Sequence, residues 1–148
     1  MLRTFIAFVI GVFVAMLVIT GVEWVTMQLY PPPPGFDWSD KQTVDAFVAS
    51  MPMPAMLLVV SGWCLGAFFG AAVPAWQANH RVPAALLIGA LIAAATFFNA
   101  QTIPHPQWML IAGTAGPIVL SWLATRLVRA RKLTMDDPGQ WPDHARRR

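Results

Sequence analysis

Ser61-Gly62-Trp63-Cys64-Leu65-Gly66-Ala67-Phe68-Phe69-Gly70-Ala71 is the stretch on which the fold turns. Glycine recurs at 62, 66 and 70, so at helical pitch the three lie on one stripe with Pro74 next in line. A stripe without side chains lets another backbone approach closely, which is how helices associate in lipid, where an apolar side chain gains little by leaving one apolar medium for another. The stretch reads as the packing hub of an all-α integral membrane protein.

Composition points the same way. Of 148 residues, 57% are hydrophobic and 11% charged, against about 25% charged in soluble domains. Too few charges remain to clothe a water-facing surface. A bilayer core takes about 20 apolar residues per helix, and the sequence offers four such runs, at about 4–29, 55–76, 83–100 and 107–128. They make a transmembrane four-helix domain over 1–132, followed by a basic tail over 133–148. The run from Phe5 to Val22 exceeds the apolar core of a signal peptide and lacks a small-residue cleavage site after it, so it is read as a retained span.

Between the first two spans, Pro31-Pro32-Pro33-Pro34-Gly35 ends the first helix, since successive prolines lack amide donors. Ser39 or Asp40 can cap a short surface helix through Val48, whose apolar side carries Val44, Phe47 and Val48. Met51-Pro52-Met53-Pro54 leads into the second span, and Pro104-His105-Pro106 stiffens the last loop. In the third span, Ala85, Gly89, Ala93 and Thr96 form a small-residue stripe able to face Gly62, Gly66 and Gly70. Gly113, Gly116 and Pro117 mark the fourth. Gly89, Ala93, Gly113 and Gly116 join the three glycines of the hub as expected helix-packing positions.

With four spans, nine of the ten basic residues fall on one side and Lys41 alone on the other. The positive-inside rule then puts both termini in the cytoplasm and the acidic first loop outside. The net charge of +3 is a topology signal that places basic residues against anionic lipids of the inner face, and nucleic-acid binding is not expected. The pattern resembles the small four-helix inner-membrane proteins of bacteria, and that resemblance implies a multi-pass location in the bacterial inner membrane.

Glu23 is the acidic residue inside an apolar span, and an ionisable group there is costly enough to be a functional candidate by default. Thr20, Glu23 and Met27 share a helix face, while Asn99, Gln101 and His105 arrive at the same level from the third span and its following loop. Together Glu23, Thr20, Asn99, Gln101 and His105 form a candidate proton or cation site, against the plainer reading of a structural hydrogen bond. Met51, Met53 and Met56 offer thioethers, which suit monovalent copper, with His105 able to complete the set; helix entry explains the same segment more simply. The single cysteine, Cys64, excludes an internal disulfide and is read as a packing residue. No phosphate loop, zinc motif or nucleophile with a base is present, so an enzyme is not expected, nor a cofactor. The reading is a channel- or transporter-like homo-oligomer with an outer polar site around Glu23. Its alternative is a non-transporting scaffold, sensor or accessory subunit that binds partner proteins in the membrane.

Overall fold

The computed structural model describes residues 2–77 and 81–136, with Arg81 and residues 129–136 described in backbone only. Five helices follow one another: α1 (Leu2–Leu29), α2 (Lys41–Ser50), α3 (Met53–Gln77), α4 (Arg81–Thr102) and α5 (Gln107–Asp136). No strand occurs among the described residues. Four of the helices are long and apolar enough to cross a membrane, over Leu2–Leu29, Met53–Gln77, Val82–Thr102 and Gln107–Val128. At 1.5 Å per residue, the 28 residues of α1 extend about 42 Å, more than the roughly 30 Å of a hydrocarbon core. The backbone of α5 stays helical to Asp136, past the apolar part and into the sequence expected to be tail. The remainder of that tail, with Arg146, Arg147 and Arg148, lies outside the described residues.

The chain punctuates itself as its local chemistry dictates. After α1 the prolines lead to a turn in which the Phe36 amide donates to the Pro33 carbonyl (3.2 Å) and Gly35 takes φ +80, a conformation that costs glycine no Cβ clash. Asp40 is the N-cap of α2: its carboxylate accepts from the Gln42 amide at 3.1 Å and from the Thr43 hydroxyl. Pro52 and Pro106 each sit just before a helix and supply its first carbonyl, accepting from Ala55 (3.0 Å) and Met109 (2.9 Å) respectively.

Packing departs from the sequence expectation in one respect. The Gly62/Gly66/Gly70 stripe meets α1 rather than the small-residue stripe of α4. A Cβ at Gly66 would lie 2.6 Å from Ile19 Cγ1 and 3.0 Å from the Ala15 carbonyl; one at Gly70 would meet Ala15 Cβ and the Gly11 carbonyl, both at 2.7 Å; one at Gly62 would meet Val22 at 3.1 Å. Gly11 returns the contact, since a Cβ there would sit 2.6 Å from the Gly70 carbonyl. The physical reason is that α1 brings its own small residues, Gly11 and Ala15, to the crossing, so backbone meets backbone on both sides. Gly89 of α4 instead packs on α5, against the Pro117 carbonyl and Ser121, and Ala93 is buried beside it on α4.

The other side of α3 meets α5. Gly113 makes room for the Trp63 ring and Gly116 for Cys64 Sγ, and the Ser121 hydroxyl donates across to the Ala67 carbonyl at 3.4 Å. Toward the α3 C-terminus the contact is built from alanine, with Ala71, Ala75, Ala85 and Ala124 in one cluster. Toward the other end it is bulkier, with Val60, Trp63, Ile88, Ile92 and Met109. Side-chain size therefore grades along the bundle, tight at one end and wider at the end where α2 lies.

Candidate functional site

The wider end holds a half-open cavity of about 240 Å³ beneath α2. Its floor and walls come from four separate parts of the chain: Glu23, Thr26 and Met27 at the end of α1; Met56, Val59 and Trp63 in α3; Asn99 and Ile103 where α4 finishes; His105 and Met109 around the start of α5. Trp38, Val44, Phe47, Val48 and Met51 cover it from the first loop and α2. The cover holds itself together, because Phe36 stacks edge-on against both Trp38 (4.7 Å between centroids) and Phe47 (5.1 Å), and Val44 is buried. A Lys41–Asp45 ion pair (2.5 Å) lies on the exposed side of the same helix.

Glu23 is half-buried in this wall, and the indole N–H of Trp63 is the side-chain donor that faces its carboxylate. Trp63 is 8% exposed, and a buried indole needs an acceptor for its one N–H. Among the described residues, no lysine or arginine forms an ion pair with Glu23. The Thr26 hydroxyl is committed to the Val22 carbonyl at 2.8 Å, which leaves its oxygen as an acceptor toward the cavity. His105 is oriented by its own loop: Nδ1 lies 2.7 Å from the Ile103 carbonyl. A carbonyl only accepts, so Nδ1 carries the proton and, in the neutral ring, Nε2 carries the lone pair. The His105 ring also stands 6.3 Å from the Trp63 ring, so Trp63 links the acid from α1 to the imidazole ahead of α5.

A second half-open cavity, about 230 Å³, lies between α1 and α4, with Val12, Ala15, Ile19, Ile88 and Ile92 in its wall together with the exposed Met16 and Leu91. It shares Trp63 and Asn99 with the first. The two cavities, both lined mainly by apolar side chains, thus adjoin at an indole and an amide.

Of the residues the sequence nominated for a proton or cation site, Glu23, Asn99 and His105 come together, and Thr20 and Gln101 do not. Thr20 is exposed and absent from the wall, its place taken by Thr26 two turns along; Gln101 is exposed on the far side of α4 from the cavity lining. Of the methionines, Met51 and Met56 line the cavity and Met53, 56% exposed, does not. Met27 and Met109 take part where Met53 does not. Sequence reasoning passed over Trp63 as a site residue; the available signal was an indole in mid-span, which must find an acceptor. Among the described residues, no group of three or more histidine, cysteine, aspartate or glutamate side chains gathers to hold a metal. No family model, curated protein or solved structure matches this chain.

Proposed function

We propose that the chain is a multi-pass protein of the bacterial inner membrane, with both termini in the cytoplasm and the α2 cavity on the outer side, and that this cavity admits a cation for which Glu23 is the counter-charge. The observation that carries the reading is a half-buried carboxylate on an apolar helix, lining a cavity with Asn99 and His105. A charge held in such a place costs free energy that a purely structural helix would avoid, so a cationic occupant is its natural complement. The adjoining apolar cavity, divided from it by Trp63 and Asn99, supplies space along the sparsely packed seam between α1 and α4 and supports a transporter- or channel-like role. Cation flux into vesicles reconstituted with the full chain tests it. Glu23→Gln should reduce flux to the level of empty vesicles; flux equal to that of the unaltered chain overturns the reading.

A second reading, an accessory or scaffold subunit, draws on the free face of α1, where Phe5, Val9, Phe13 and Met16 are exposed and available to another helix as well as to lipid. The same face serves assembly of several copies in the first reading. The mass of the detergent-solubilised particle separates self-association from a single chain awaiting a different partner.

A further inference from the structure

We propose that the cavity beneath α2 is a site for a soft monovalent metal ion, Cu(I), bound by thioether sulfurs of Met27, Met51, Met56 and Met109 together with Nε2 of His105. This assignment rests on reading the cavity as a cation site and names the class of cation. Four of the fifteen residues that line it are methionine, against eight in the whole chain of 148. They reach it from four different places: the end of α1, the link after α2, the first turn of α3 and the first turn of α5. Methionine also fills irregular apolar gaps, but here it converges from four separate positions while leucine, abundant elsewhere in the chain, is missing from the wall.

The histidine provides the second, independent observation. Its Nδ1–H is tied to the Ile103 carbonyl at 2.7 Å, which fixes the ring and leaves Nε2 as the free donor atom on a residue that lines the cavity. An imidazole held by a backbone carbonyl at one nitrogen is the usual arrangement of a metal-binding histidine. Thioether and imidazole are soft and neutral donors, which suit Cu(I) and do not satisfy Mg²⁺ or Ca²⁺, whose ligands are oxygen. Charge agrees with the +1 state: Glu23 is the one carboxylate in the wall, so with neutral donors it balances a monovalent ion, and a divalent ion leaves an excess charge. The space of about 240 Å³ exceeds one ion, and methionine, with three rotatable bonds, can fold inward around it.

The rival occupant is a lipophilic organic cation held over the faces of Trp38, Phe47 and Trp63. Ag(I), a redox-stable stand-in for Cu(I), decides between them when titrated into the untagged full-length chain in detergent. One Ag(I) per chain should bind, and X-ray absorption on the unaltered chain should show sulfur and nitrogen neighbours. Met51→Leu with Met56→Leu, and Met27→Leu with Met109→Leu, keep side-chain volume and should each weaken binding by about tenfold or more, with the metal-free melting temperature retained. Met53→Leu and Cys64→Ala should leave it as it was. Absence of Ag(I) binding, affinity unchanged in both methionine pairs, or tetraphenylphosphonium binding that depends on Trp63 while Ag(I) fails to bind, each overturns the assignment. Glu23-dependent flux without Ag(I) binding removes the metal and keeps the cation reading. Methionine-dependent Ag(I) binding without flux keeps the metal site and removes transport.

Discussion

Gly113 of α5 lies flat against the ring of Trp63, so close that a Cβ at Gly113 would stand 2.6 Å from Cζ3 and 2.7 Å from Cε3, with Thr96 Cγ2 at 2.8 Å. Three helices therefore meet at one hydrogen atom's width, directly behind the indole that faces Glu23. Gly113→Ala should push the ring toward the cavity and lower stability by about 1–3 kcal/mol, as overpacking of a fitted interior does. Thermal melting in detergent reads the first effect. A melting temperature equal to that of the unaltered chain would mean that the ring gives way without cost.

The α1–α3 contact makes a sharper comparison. Gly66→Leu drives a side chain into Ile19 and the Ala15 carbonyl, whereas a Cβ at Gly21 on the same α1 meets nothing within 4 Å. Gly66→Leu should separate α1 from α3 and cost several times the change seen in Gly21→Leu, which should stay within about 0.5 kcal/mol. Equal melting of the two variants would place α1 elsewhere.

Trp63→Phe keeps an aromatic ring but gives up the part of the indole packed against Gly113, and it removes the N–H that faces Glu23. Loss of buried ring volume costs about 1–3 kcal/mol in packing, and the contact with the half-exposed carboxylate adds little to that. Flux should fall far more than stability, because the orienting donor is gone from the site. Flux unchanged in Trp63→Phe would restrict the indole to packing.

Acid should loosen α2 before the long helices. The Asp37 carboxyl is held below its usual range by the side-chain and backbone donors of Ser39, and Asp40 by the Thr43 hydroxyl and the Gln42 amide. A carboxyl with a depressed folded pKa stabilises fully above its unfolded value and loses that contribution as pH falls through the folded one, here below about pH 4. Hydrogen-exchange protection factors at Gln42 and Thr43 should fall over that window, and Asp40→Ala, which removes the cap, should lower them already at neutral pH. Protection that is indifferent to both changes would show that packing of Val44 and Phe47 holds the helix without its cap.

The nine-to-one division of basic residues gives the topology test. A reporter active only outside the cytoplasmic membrane should be silent after Arg148 and active when inserted near Asp37. Activity at the C-terminus would invert the proposed orientation and move the cavity to the cytoplasmic side.

What the sequence by itself determined was everything governed by contacts along the chain. Apolar length set the four long helices, the prolines at 31–34, 52 and 106 set where they stop and start, and Asp40 set the beginning of α2, because each depends on residues within a turn or two of one another. Glu23, Asn99 and His105 could be matched in depth from helix length alone. The tertiary structure decided which faces meet. The long helices are apolar all round, so periodicity gives no preferred side; the sequence offered the small residues of α4 to the Gly62/Gly66/Gly70 stripe, and it is Gly11 and Ala15 of α1 that meet it backbone to backbone. That choice rotated α1 so that Thr26 and Met27, rather than Thr20, turned into the cavity, and it brought Met109 from the far end of the chain beside Met51 and Met56. Side chains that converge from four elements are placed by helix rotation, and helix rotation is settled only when the backbones find where they can approach most closely.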